Sequence, residues 1–298
     1  MSGVIVGAYP MLFGAAPADE ARLYAGLSER PDVAGLELPW LGTGAIHPAG
    51  EEWLAATLPD HWTVVMTAIP STMGALSSDP SQGLASPSPE GRAAAVAEIT
   101  RLAAAVRALN NRAGRQVVTA VEVHSAPSGG TPEALRASLE ELLALDLDGA
   151  RLLLEHCDAL VPGQAPAKGF LALEQELAAL EGLPVGLLLN WGRSALELRD
   201  PDRVVEHVRL AGSRLEGLMF SGVTAVDGVY GAPWRDSHAP FAPLETDSLL
   251  TGARAAAALE AAGPLDLVGV KLSWKRSGSI DDSIAALLDA VSIVASAR

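Results

Sequence analysis

Titratable side chains gather in this chain at the points where short apolar runs stop. The clearest case is 151–158 (RLLLEHCD), an apolar run that ends in Glu155, His156 and Asp158 around Cys157. A surface strand would alternate, and a helix would not collect its charges at one end. The pattern therefore reads as a strand buried on both faces that delivers polar groups at its C-terminal edge. Other runs end in Glu37, in Glu122 with His124, in Asn190, in Ser221, and in Lys271 with Ser273; Asp236 and His238 follow the run at 215–221. Carboxylates and imidazoles so placed suit proton transfer to and from carbon, and the same groups could hold a metal ion. Burying several carboxylates is costly unless a cation, a bound proton or close pairing compensates them.

Two compensations are open. One is a divalent metal held by Glu155, Asp236 and His238 with His124 or His156, and such mixed oxygen and nitrogen ligands suit Mn²⁺, Mg²⁺, Co²⁺ or Zn²⁺. No short ligand motif such as HExxH is present. The other is Lys271, whose alternate neighbours Gly269 and Ser273 leave room for its chain inside a barrel. It could neutralise a carboxylate, hold an anionic substrate, or act as an acid or electrophile; a plain salt bridge is the simpler reading. Taken singly, each glutamate could be a helix cap or an ion-pair partner, and His124 a hydrogen-bonded core histidine. His61 and His207 read as structural, His47 is open, and Glu140 and Glu141 read as a solvated helix face. Four tryptophans, Trp40, Trp191, Trp234 and Trp274, follow strand ends or lie in the seventh loop. Indole faces beside carboxylates suit a polyhydroxylated ligand, and rim packing is the alternative.

Positioning these residues requires eight strands. The apolar runs fall at 4–9, 33–38, 63–69, 117–124, 151–158, 185–190, 215–221 and 267–273, each followed by a helical pattern. The helices are expected near 19–30, 51–57, 89–111, from Thr131-Pro132-Glu133, 171–180, from Asp200-Pro201, 246–262 and from Ser279 onward. Eight strand–helix units without a compositional break point to an α/β fold, a single (β/α)8 TIM barrel spanning 1–298 as one domain. A doubly wound sheet would more often carry a Gly-rich phosphate loop after its first strand, and GAYPMLFGAAP is not GxGxxG. Two connections are long, 71–88 and 223–244, and both leave strand C-termini, so they are candidate lids over the active-site face.

The 298 residues, 49% of them hydrophobic, suffice for one such barrel. A formal net charge of -15 with no basic run argues against nucleic acid as a partner. The single cysteine excludes an intrachain disulfide and is compatible with a reducing cytoplasm. The stretch MSGVIVGAYP has no leader pattern, and no apolar run is long enough for a membrane span. A cytoplasmic protein with no membrane partner is expected.

On the segments LLLEHCDA, LLLNWGRS, GLMFSGV, YGAPWRDSHAPF and GVKLSW, the chain resembles the xylose-isomerase-like barrels, a superfamily of sugar isomerases, epimerases and apurinic-site endonucleases. Within it, the likeness is to an uncharacterised branch regarded as sugar isomerases. The resemblance implies a small carbohydrate substrate, a divalent metal, no organic cofactor, and a homo-oligomer as a possibility. It matches Glu155 to the metal-binding glutamate of strand five. Asn190 stands where strand six usually supplies an aspartate, Asp236 and His238 look like a displaced seventh-strand pair, and Lys271 replaces a glutamate often found on strand eight. The activity so implied is sugar isomerisation or epimerisation. Glu122 or Glu155 would be the base, His124, His156 and His238 ligands or shuttles, and Lys271 or a metal the stabiliser of an enediolate. Glu37, Trp40, Asn190, Trp191, Trp234 and Trp274 would line the pocket. The alternatives are a lyase or hydrolase acting on a modified glycoside, and a barrel that binds sugar without turning it over.

Overall fold

The computed structural model describes residues 3–298; the first two residues of the stretch read for a leader lie outside it. Eight parallel strands close into a barrel in the order β1 to β8: β1 (Val4–Gly7), β2 (Val33–Pro39), β3 (Thr63–Thr67), β4 (Val118–Val123), β5 (Arg151–His156), β6 (Gly186–Asn190), β7 (Leu215–Phe220) and β8 (Leu267–Lys271). The expected (β/α)8 barrel is thus the fold of this chain. The helices are α1 (Tyr9–Leu12), α2 (Pro17–Ser28), α3 (Glu51–Thr57), α4 (Ile69–Ser78), α5 (Pro89–Ala113), α6 (Pro132–Leu142), α7 (Leu173–Leu180), α8 (Trp191–Leu198), α9 (Val204–Ala211), α10 (Gly252–Ala262) and α11 (Ile280–Ala297). None of them is long and apolar enough to cross a membrane, among the described residues.

The chain groups into two compact units. One comprises Met1–Glu37, Thr57–Trp62 and Leu189–Arg298; the other comprises Leu38–Ala56 and Thr63–Leu188. In the first, β1 pairs in parallel with β2 and with β8, and β7 with β8. In the second, β3, β4 and β5 pair in sequence. Strand β5 is buried from Leu152 to His156, as an apolar run covered on both faces should be.

Local chemistry sets the helix starts. Thr131 caps α6 by accepting from Ala134 N at 3.2 Å, with Pro132 at the first helical position. Ser88 caps α5 through Gly91 N at 3.1 Å, and Gly114 ends it with φ 66°. Two expectations need correction. The segment after β3 is not loop throughout, because its first part is α4: Pro70 fits the first turn, and Met73 and Leu76 pack on the buried cluster Ile69, Ala126, Cys157 and Phe170. The helix expected from 246 begins at Gly252, where Thr251 caps it by accepting from Arg254 N.

Candidate active site at the strand ends

Strands β4 and β5 lie side by side with Glu122 opposite Leu153 and Val123 opposite Leu154. Period two therefore turns Glu122, His124, Leu153 and Glu155 to one side. His124 Nε2 and Glu155 Oε2 are 2.7 Å apart, and neither side chain is exposed. A carboxylate and an imidazole in this contact share a proton, which makes them an acid–base couple. Glu122, one pleat below, is fully buried on the same side. A cavity of about 220 Å³ between α4 and α5, lined by Ser71, Gln82 and Glu98, reaches His124.

His156 does not stand beside Glu155 as a ligand would. Strand β5 persists through His156, so adjacent side chains take opposite sides. His156 Nδ1 lies 2.7 Å from Glu176 Oε2 on α7, and Ser125 Oγ donates to the other oxygen of the same carboxylate. This buried network ties the end of β5 to its covering helix. Glu176 was not singled out from sequence, although its spacing from Leu173, Ala179 and Leu180 puts it on the buried stripe of α7. Asp158 also turns away from chemistry: its carboxylate accepts from the backbone N–H groups of Ala167, Lys168 and Gly169 and holds that loop.

In the other unit, Gly7 of β1 lies opposite Lys271 of β8. Lys271 Nζ forms an ion pair with Glu37 Oε1 at 2.7 Å, with zero exposure on both side chains. A Cβ on Gly7 would fall 2.5 Å from Glu37 Oε2 and 3.1 Å from Lys271 Cβ, so the pair needs glycine there. The Tyr9 ring centroid lies 5.3 Å from Nζ and offers it a second negative face. Tyr9 was read only as the end of strand one; it opens α1 instead.

Asn190 closes β6 and caps α8. Its Oδ1 accepts from Gly192 N at 3.0 Å, Arg193 N at 3.4 Å and Ser221 Oγ at 2.7 Å. Those contacts fix the amide orientation and leave Nδ2 a buried donor with no hydrogen-bond partner among the described residues. Arg193, 1% exposed, sets Nε 3.3 Å from Asp236 Oδ2, and Asp236 Oδ1 lies 3.4 Å from His238 Nδ1. Trp234 and His238 in this loop take φ values of 58° and 50°, conformations costly for such side chains and held here by their surroundings. The Ser273 N–H donates to the His238 carbonyl at 2.7 Å. Tyr230 O–H donates to the Ser273 carbonyl, and burial pushes its phenol up to about 12.

The tryptophans divide. Trp40 is fully buried and gives its indole N–H to Glu98 of α5; Trp191 is enclosed at the start of α8. Both serve packing. Trp234 lies under the Arg199 guanidinium at 5.3 Å, and Trp274 borders a cavity of about 500 Å³ with Phe13 and Ser279. His47 stacks on Trp53 at 4.3 Å, His61 meets the edge of Trp62, and His207 is buried near Glu197, as structural histidines do.

Acidic and histidine groups that could hold a metal ion are present among the described residues. Two of the ligands expected from sequence, Asp236 and His156, meet other charged groups. Asn190, standing where the resemblance places an aspartate in relatives, has its oxygen already used three times. Asp236 carries a guanidinium and His156 a carboxylate, while β8 ends in an ammonium.

The fold is similar to that of solved xylose-isomerase-like barrels. A D-psicose 3-epimerase crystallised in the presence of D-fructose superposes with a TM-score of 0.59 at 13% identity, over 100% of this chain and 96% of its own. A xylose isomerase-like barrel protein of Mycobacterium smegmatis in complex with magnesium gives 0.56 at 13%, over 100% and 98%. Endonuclease IV of Thermus thermophilus gives 0.55 at 17%, over 95% of each chain. The particular family follows from sequence: the chain belongs to the family described as domain of unknown function DUF4862, which matches residues 5–285. An uncharacterized protein of Salmonella typhimurium (strain LT2) is 38% identical over 98% of this chain and 97% of its own length.

Proposed function

We propose that the protein is a carbohydrate isomerase or epimerase acting by proton transfer at a carbon next to a carbonyl. The observation that carries this reading is the buried His124–Glu155 couple at the ends of β4 and β5. In a closed parallel barrel the strand C-termini share one face, which is where such enzymes do their chemistry. Glu155 takes the proton from carbon, His124 accepts or returns it, and Glu122 is the second carboxylate on that side. Epimerase and isomerase neighbours of the same fold support the substrate class, and the net charge of -15 favours a sugar over a nucleic acid.

The test is incubation with a panel of ketoses and aldoses in deuterium oxide, read by NMR. Deuterium should enter at a carbon adjacent to the carbonyl, and Glu155→Gln should slow it by about 10²–10⁴-fold. Absence of exchange on every sugar of the panel would end this reading.

A further inference from the structure

We infer that the cavity between α4 and α5 is a binding pocket for a single unphosphorylated sugar ring, held beside the His124–Glu155 couple. The inference deepens the proposed function and rests on it for the reaction, whereas the capacity to bind rests on the walls of the cavity.

Every residue that lines the cavity falls within Thr63–Leu188, inside one compact unit. Two helix faces build it. Ser71, Thr72 and Ala75 share one face of α4, and Ala94, Ala95 and Glu98 repeat the same spacing on α5. Three of these six are alanines, so the space between the two faces stays open, with a volume of about 220 Å³. A cavity of about 150 Å³ admits benzene, so this one takes about nine or ten heavy atoms. That is the size of one sugar ring and excludes a disaccharide.

The walls set the class of ligand. Leu84, Ile99 and Val123 supply apolar surface for ring C–H groups, and Thr72 and Gln82 supply groups that both donate and accept. Glu98 is held in place: one carboxylate oxygen accepts from the Trp40 indole N–H and the other from Arg101. A carboxylate has about four lone-pair directions, so about two remain for the hydroxyls of a ligand. Arg101 already answers the charge of Glu98, and a phosphate here would meet a carboxylate with no surplus cation beside it. The lining therefore suits a neutral polyol and disfavours its phosphate ester.

The position of the cavity ties binding to chemistry. Its inner end lies at His124, whose Nε2 is 2.7 Å from Glu155 Oε2. A ring seated between the helices thus lies next to the acid–base couple. Glu98 and Thr72 select and orient the ligand, and no covalent step is assigned to them.

The experiment uses the full-length protein beside Ala95→Leu, which fills the cavity from α5, and Glu98→Gln, which frees Arg101. Saturation-transfer NMR measures the binding of free pentoses and ketohexoses, of their phosphate esters and of sucrose. The wild type should bind a free sugar at least about tenfold more tightly than its phosphate ester or sucrose. Ala95→Leu should lose about tenfold or more in affinity at an unchanged melting temperature. Should that variant fail to fold, Ala75→Leu fills the cavity from α4. Glu98→Gln should shift the preference toward the phosphate ester by up to about fivefold, because the freed guanidinium is exposed. An unchanged preference in that variant overturns the exclusion of phosphate. Equal binding by the wild type and the filled variant, or no binding of any sugar, overturns the inference. Deuterium exchange separates the two claims. Exchange by the wild type whose KM rises about tenfold in Ala95→Leu supports both. Exchange unaltered in the filled variant overturns the inference alone. Binding that the filled variant loses, with no exchange in the wild type, overturns the functional reading alone.

Discussion

Replacing Gly7 by alanine perturbs the seat of Lys271 without touching either charged group. The new methyl would lie 2.5 Å from Glu37 Oε2 and 3.1 and 3.2 Å from Lys271 Cβ and Cγ. Gly7 does not have a positive φ, so the backbone itself accepts alanine. Two effects then compete. Alanine stiffens the unfolded chain, a gain of about 0.4–1 kcal/mol. Overpacking in an enclosed site costs about 1–3 kcal/mol. The expected net is a loss of about 1–2 kcal/mol, and about 2–3 °C in melting temperature at this chain length. The assay is urea unfolding of wild type, Gly7→Ala, Glu37→Asp and the double variant. Aspartate withdraws the carboxylate from the new methyl, so alanine should cost much less in that background. Equal cost in both backgrounds, or a Gly7→Ala protein at least as stable as wild type, would refute the argument that glycine is there for the ion pair.

Glu176 accepts from Ser125 and contacts His156 with no exposure, so Glu176→Ala should destabilise by about 3–5 kcal/mol in a denaturant titration. A loss below about 1 kcal/mol would mean the network is not structural. Alkaline pH should act through two of the three tyrosines. Tyr24 is raised well above 10.0 by burial first and Glu20 second, and Tyr230 to about 12 by burial. Both phenols keep their protons longer when folded, so each contribution is full below 10.0 and is lost as pH rises above it; for Tyr230 the loss runs through about 12. Phenolate absorbance from Tyr24 and Tyr230 should appear only well above pH 10.0, and melting temperature should fall as pH rises above that point.

Strands were legible because a run apolar on both faces has few other homes, and each apolar run ends within two residues of where its strand does. The small overshoots fall where the chain passes directly into the following loop or helix. At 4–9 the last two residues leave β1, and Tyr9 begins α1 with Pro10 in its first turn. Helix α4 was hidden by a composition rich in serine, proline and glycine, although its Pro70, Met73 and Leu76 are a start signal and an apolar stripe. Helix α8 was hidden because LLLNWGRS reads as a strand end, whereas Asn190 is at once strand end and helix cap. At the site, the residue types at strand ends were visible and their partners were not. Lys271 meets Glu37, and Arg193 meets Asp236, across long stretches of chain whose pairing only the fold decides. His156 shows the limit of counting: one more residue of strand turned it away from Glu155.

Cys157, fully buried against Ile69, Ala126 and Phe170, makes the protein its own clock. A thiol reagent can reach this sulfur only through an opening of the surrounding structure, and no second thiol confuses the signal. The labelling rate in native buffer therefore reports how often this part of the barrel opens, measured without a denaturant or an introduced probe.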